Sequence, residues 1–200
     1  MLSFDAETHA YFWDGARVPN VTSLLGFLTD YKWVQPDALE RARQEGVAIH
    51  RMVELSIKGE LDLATLPDWL IPRLAAWHKF IDDTGFEPIT SEQKLYHREL
   101  RYAGTCDTVG TMPKLRRVKK NAMVDIKRSL YAGRAIGYQT SAYAKAWDFG
   151  APRDMGISNR FALVLKAEGT YQLNEYTDPG DFGVFLSCLT LYRAKEKLCA

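Results

Sequence analysis

Within PDALERARQEGVAIHRMVELSIKG, apolar residues recur at Ala42, Val47, Ile49 and Val53, a spacing that predicts a long helix with an Asp near its start and Gly59 as its stop. A second helix is predicted over PDWLIPRLAAWHKFIDDTG, opening near Pro67, bending at Pro72 and ending at Gly85. From Glu87 the pattern becomes β: EPITSEQKLYHREL, RYAGTCDTVGTM and NAMVDIKRS read as an antiparallel three-strand meander, with the basic connection PKLRRVKK before the last strand. RAIGYQTSAYAKAWDFG reads as a helix ending near Gly150. RFALVLKA and TYQLNEYT are strand candidates separated by Glu168-Gly169, and DPGDFGVFLSCLTLYRAKEKL is a closing helix. Ahead of all these, Ser3 to Val18 reads as a short aromatic hairpin turning at Asp14-Gly15. VPNVTSLLGFL follows as a short helix with Thr22 or Ser23 as its N-cap, and this front end reads as a lid or flank. The order is α/β, and the expectation is one domain with a flank over 1–30, a helical segment over 36–85 and an αβ core over 87–200.

Composition changes this picture little. Two hundred residues with 46% apolar content suffice for one substantial core, and 26 basic against 25 acidic side chains leave a net charge of +1, so local clustering must carry any argument about partners. Three cysteines without CxxC spacing suggest neither a disulfide framework nor structural zinc. With no secretory signal pattern and no apolar run near the ~20 residues of a membrane span, a soluble cytoplasmic protein is expected.

NAMVDIKRS adds chemistry. Strand side chains alternate faces, so Asp125 and Lys127 share one face while Val124 and Ile126 share the other. If YAGTCDTVG lies antiparallel to it, Asp107 can stand beside Asp125. Two close carboxylates are favourable mainly with a cation between them, and hard oxygen ligands point to Mg²⁺ or Mn²⁺. GVAIHRMVE places Gly46, His50 and Glu54 on one helical face, where His50 could add an imidazole ligand; Gln139 and Tyr143 repeat the four-residue spacing on another helix.

These motifs, G-x-x-x-H at Gly46–His50, GTCD ending at Asp107, DIK at Asp125–Lys127 and QTSAY at Gln139–Tyr143, resemble the PD-(D/E)XK nuclease superfamily. The likeness is to its RecB-like, phage-type (lambda-exonuclease-like) exonuclease branch. The resemblance implies a restriction-endonuclease-like core: a mixed central sheet with helices on both sides. It also implies metal-dependent hydrolysis of DNA phosphodiesters, as in a phage or prophage double-strand exonuclease of recombination, with one or two Mg²⁺ or Mn²⁺ ions. Asp107 and Asp125 would hold the metal, with His50 and the backbone carbonyl of Ile126 as further ligands. Lys127 would position or activate the attacking water, and Gln139 and Tyr143 would support the site and contact the strand. Iron–sulfur members of this branch need four cysteines; this chain has three, so no cluster is expected. Family context also implies linear duplex ends as substrate and a phage single-strand annealing protein as partner.

Each signal has a plainer reading. Asp and Lys alternate on many solvated edge strands, Tyr143 could be a packing residue, and Glu54 an exposed helix charge. Glu92 could enter the site, as it does in some relatives, or face solvent. Lys114, Arg116, Arg117, Lys119 and Lys120 could be a solvated tip or a phosphate contact joined by Arg128 and Arg134. Trp33, Trp69, Trp77 and Trp147 are expected in the core or an interface. Alternatives to the exonuclease are a structure-specific endonuclease, a helicase-associated nuclease domain, or a DNA-binding module without catalysis. No pattern decides between monomer and homo-oligomeric ring.

Overall fold

In the computed structural model, which describes residues 1–28, 35–129 and 133–199, the first eighteen residues form three strands rather than a two-stranded hairpin. Strands β1 (Leu2–Asp5), β2 (Ala10–Trp13) and β3 (Ala16–Val18) pair antiparallel, with Asp14 and Gly15 at φ 47° and 81° making the predicted turn between β2 and β3. Helix α1 (Val21–Leu25) is capped by Asn20, not by Thr22 or Ser23: the Ser23 amide donates to Asn20 Oδ1 at 2.8 Å. Thr22 and Ser23 already lie inside the first turn, where their side chains cannot reach the orphan amides that a residue just ahead of the helix can.

Helix α2 (Pro36–Lys58) carries the long amphipathic pattern and ends where Gly59 turns left-handed, at φ 70°. A 3₁₀ turn, Asp68–Leu70, leads into α3 (Ile71–Thr84), so Pro72 opens this helix rather than bending it. In the first turn its missing N–H would have had no partner in any case. Gly85 stops α3 at φ 66°. Trp33 lies outside the described residues; Trp77 is fully buried, Trp147 is half-buried, and Trp69 is exposed.

The main sheet runs in the order β4 (Glu87–His97), β5 (Tyr102–Thr111), β6 (Asn121–Lys127), β7 (Ile157–Leu165), β8 (Tyr171–Glu175). The meander β4–β5–β6 is antiparallel, β7 lies parallel to β6 after the crossover helix α4 (Ala135–Gly150), and β8 returns antiparallel before α5 (Asp181–Cys199). Strand alternation divides the core. Val124, Ile126 and Phe161 pack with Ile49, Trp77 and Phe80 of α2 and α3. Met123 packs on the opposite face with residues of α1, α4 and α5 such as Leu24, Ala142 and Phe185. Each such large apolar side chain contributes on the order of 1.5–3 kcal/mol by leaving water. The architecture is therefore α/β, a mixed five-stranded sheet flanked by helices on both faces, as expected. No helix among the described residues is long and apolar enough to cross a membrane.

Candidate active site

Strand register builds the site. Ser91 pairs with Thr108 and Gln93 with Cys106, which sets Glu92 across from Asp107; Thr108 pairs with Val124, and the next step along points Asp107 toward Asp125. Directly opposed residues share a face, so β4, β5 and β6 line up three carboxylates. The ladder between β5 and β6 ends at Thr108 and Val124, and past it the Ile126 amide donates to Asp107 Oδ2 at 2.5 Å. That bond orients Asp107, which is 8% exposed, while Asp125 is 1% exposed. Glu92 sits at φ 50°, a left-handed conformation uncommon for a residue with a side chain and a local irregularity in the edge strand where the carboxylate projects.

Cations from two other directions answer these charges. His50, on α2, places Nδ1 3.4 Å from Asp107 Oδ1 and 3.8 Å from Glu92 Oε1. Burial opposes the imidazolium, but the charge of Asp107 and hydrogen bonds to Asp107 and Glu92 outweigh it and push His50 up to about 10. Burial also opposes the ionised form of Asp107, and here His50, Lys127 and the Ile126 amide win and hold its carboxyl below the usual range. Asp125 goes the other way: desolvation and the charge of Asp107 push it up to about 6 although Lys127 Nζ lies 2.6 Å from its Oδ2. Both oxygens of Asp125 are buried, and beyond that ion pair no further hydrogen-bond donor reaches them among the described residues.

Helix α4 closes the site from the same face. Gln139 Nε2 donates to the Tyr143 hydroxyl at 3.2 Å, and burial raises the Tyr143 phenol above its ordinary value. Gly104 lets that ring approach β5: a Cβ there would stand 2.5 Å from Tyr143 Cε1 and 3.3 Å from Val21. The glycine of GTCD and the tyrosine of QTSAY are thus one packing contact. Gly46 is different, because a Cβ there would meet nothing within 4 Å.

His50, Glu92, Asp107, Lys127, Gln139 and Tyr143 all line one open cleft of about 510 Å³. Its other wall is the N-terminal sheet and α1, through Phe4, His9, Tyr11 and Thr22, tied down by a 2.7 Å hydrogen bond between the Tyr11 hydroxyl and Thr105 Oγ1. The sequence left this segment as a lid or flank, and its packing makes it a wall of the cleft. It also left Glu92 undecided, although counting β4 and β5 back from the turn where His97 faces Tyr102 sets Glu92 opposite Asp107.

Other candidates lie elsewhere. Glu54 is held by Arg51 at 2.7 Å and Lys58 at 2.5 Å on the surface of α2. Arg128 reaches Glu45 at 3.5 Å, and Arg134 is exposed just before α4. Arg117 and Lys119 precede β6, whereas Lys127 ends it, and the 127 − 121 = 6 steps along its seven residues separate the two ends by about 20 Å. The basic connection therefore does not flank the carboxylates: Arg117 pairs with Glu175 at 2.8 Å, and Lys114 and Lys120 donate to the carbonyls of Asp82 and Arg153. Ile126 is 2% exposed and reaches the site through its amide.

His50, Glu92 and Asp107 bring one ligand atom each to within 4.8 Å of one another and could hold a divalent cation. The donor set, two carboxylates and an imidazole, suits Mg²⁺ or Mn²⁺, and the buried Asp125 carboxylate, met by Lys127 alone among the described residues, fits the same purpose. No family model matches the chain, and no curated protein resembles it in sequence. Among solved structures, the chain is similar to the crystal structure of an alkaline exonuclease from Laribacter hongkongensis. The two are 12% identical over 90% of this chain and 87% of that one, with a TM-score of 0.42.

Proposed function

We propose that this protein is a metal-dependent deoxyribonuclease of the PD-(D/E)XK type, a phage-type double-strand exonuclease acting in recombination. The observation that carries the reading is the row of three carboxylates on one face of the sheet, Glu92 and Asp107 lining the cleft and Asp125 buried beside them, balanced by the His50 imidazole and the Lys127 ammonium. A bound divalent cation supplies Lewis-acid stabilisation and a more acidic water. Asp107, Glu92, His50 and Asp125 would hold it.

The chain's own groups do the rest. The Ile126 amide fixes Asp107 in one orientation, so the ligand loses little freedom when it engages. Lys127, held by Asp125 at the mouth of the cleft, places a positive charge where the attacking oxygen and the phosphoryl oxygens gain negative charge. Gln139 and Tyr143 form a hydrogen-bonded pair on the cleft wall, positioned to receive a phosphate or sugar of the strand. The Tyr11 bond to Thr105 keeps the N-terminal wall beside Asp107.

The test sets end-labelled linear duplex beside closed circular plasmid, with Mg²⁺, Mn²⁺ or EDTA, for the parent and Lys127→Ala. Metal-dependent loss of the linear DNA alone, abolished in the variant, is the expected result. Cutting of the circle would replace the exonuclease with an endonuclease. DNA binding without cutting in any metal would leave a binding module of this fold.

A further inference from the structure

The site's edge strand continues past the carboxylates. Glu92, Lys94 and Tyr96 alternate along one face of β4, Leu95 and His97 turn inward and are buried, and Arg98 opens the turn that follows the strand. Tyr96 thus lies about 13 Å from Glu92, two same-face steps of ~6.7 Å. Lys94 lines both the carboxylate cleft and the next depression, which Tyr96 and Arg98 also line; these two then line a third, of about 550 Å³, together with Arg17 and Arg101. β4 is an outer strand of the sheet, so nothing in the sheet covers this strip from beyond it.

The strip is built for anions. Lys94, Arg17, Arg98 and Arg101 are exposed and have no carboxylate ion-pair partner among the described residues. Asp14, the one acid among the described residues lining the outer depression, is bonded by the Met1 amino group. Trp13 stacks on Tyr96 at 4.3 Å and 17°, and the Arg98 guanidinium lies 5.3 Å from the Trp13 ring, so the aromatic pair holds that cation in place before any ligand arrives. Like charges gathered on a chain of net charge +1 repel one another, and a polyanion laid along them removes that repulsion.

We propose that this strip, Lys94, Arg98, Arg17 and Arg101 over the Trp13–Tyr96 pair, carries the phosphodiester backbone of the nucleic-acid strand engaged at His50, Glu92 and Asp107. The proposal rests on the hydrolytic reading above and assigns the strand's path to β4 in place of the basic connection ahead of β6. Contacts of this kind hold phosphates and read no base, so affinity along the strip is independent of sequence and strongly dependent on salt.

The test is fluorescence anisotropy of a 5′-fluorescein 20-nucleotide single strand in EDTA, so that nothing is cut, titrated with the parent, with Arg17→Glu/Arg98→Glu, and with Lys79→Glu on α3, a helix packed against β7 and β8 rather than β4. The double variant is expected to bind at least tenfold more weakly at 50 mM salt, with its log–log salt slope reduced by about 1.4, the loss of two contacts on a single strand. Unchanged melting of this variant would show that the fold is intact, and Lys79→Glu is expected to bind like the parent. Parent-like affinity and slope in the double variant would overturn the track while leaving the hydrolytic reading untouched. A parent that binds the strand through this strip but cuts no DNA would remove the hydrolytic reading and keep the track. A parent that binds no strand overturns both.

Discussion

The two ends of β6 both bury a polar side chain, and they treat it in opposite ways. Asn121, 5% exposed at the start of the strand, donates through its side-chain Nδ2 to the Met155 carbonyl at 2.7 Å, and its main-chain carbonyl accepts from Ser158 Oγ. Asp125, 1% exposed four residues on, carries a charge and, among the described residues, is met by the Lys127 ammonium and no other donor. The amide is placed on a fixed acceptor, whereas the buried carboxylate relies on one mobile ammonium. Burying a charge so sparsely paired costs free energy, and such costs persist where a ligand completes the set. On the proposed function, the Asn121 end is structure and the Asp125 end is the one held for a metal.

The sharpest way to break this contrast is to empty each end. Asp107→Ala is expected to reduce metal-dependent cleavage by on the order of 10³-fold or more, since the group it removes is held against both His50 and the Ile126 amide. Asn121→Ala should retain the parent's kcat and instead lose about 1–2 kcal/mol in urea denaturation, from one buried hydrogen bond. Equal losses of activity in the two variants would mean that the ends do not differ in role.

The second comparison is pH. A carboxyl raised in the fold from 3.8 to about 6 gives a stability contribution that is complete below about 3.8 and is lost as pH rises through about 6. The metal-free protein should therefore lose stability between about pH 4 and 7 on account of Asp125. Asp125→Asn should lack that decline and be more stable than the parent at pH 8 by about 1–3 kcal/mol, while being inactive. The measurement is urea midpoint against pH in EDTA. Adding Mg²⁺ should raise the parent's midpoint at pH 8 and raise it less at pH 5, where Asp125 holds its proton. A variant less stable than the parent at pH 8 would show that the Lys127 pairing outweighs desolvation.

The smallest effects separate two glycines. Gly104→Ala forces a methyl to 2.5 Å from the Tyr143 ring and is expected to cost about 1–3 kcal/mol. Gly46→Ala meets open space inside α2 and should stabilise by about 0.5–1 kcal/mol through helix propensity. Thermal melting of both variants decides. If Gly46→Ala nevertheless weakens cleavage, the open space over that turn is used by the substrate.

What local sequence could determine, it did. The 3.6-residue recurrence of α2, its stop at Gly59, the alternation that sends Val124 and Ile126 one way and Asp125 and Lys127 the other, and the α/β order all depend on residues within one element. So did the grouping of Gly104 with Asp107 and of Gln139 with Tyr143. The tertiary structure decided which of these meet. Glu92 joins His50 and Asp107 because of the β4–β5 register, Arg117 turns away to Glu175, the N-terminal strands become a cleft wall, and Asn20 takes the cap. The physical reason is range: periodicity and capping act over three or four residues, whereas a site made from α2, β4, β5, β6 and α4 is fixed by strand register and packing between elements up to a hundred residues apart.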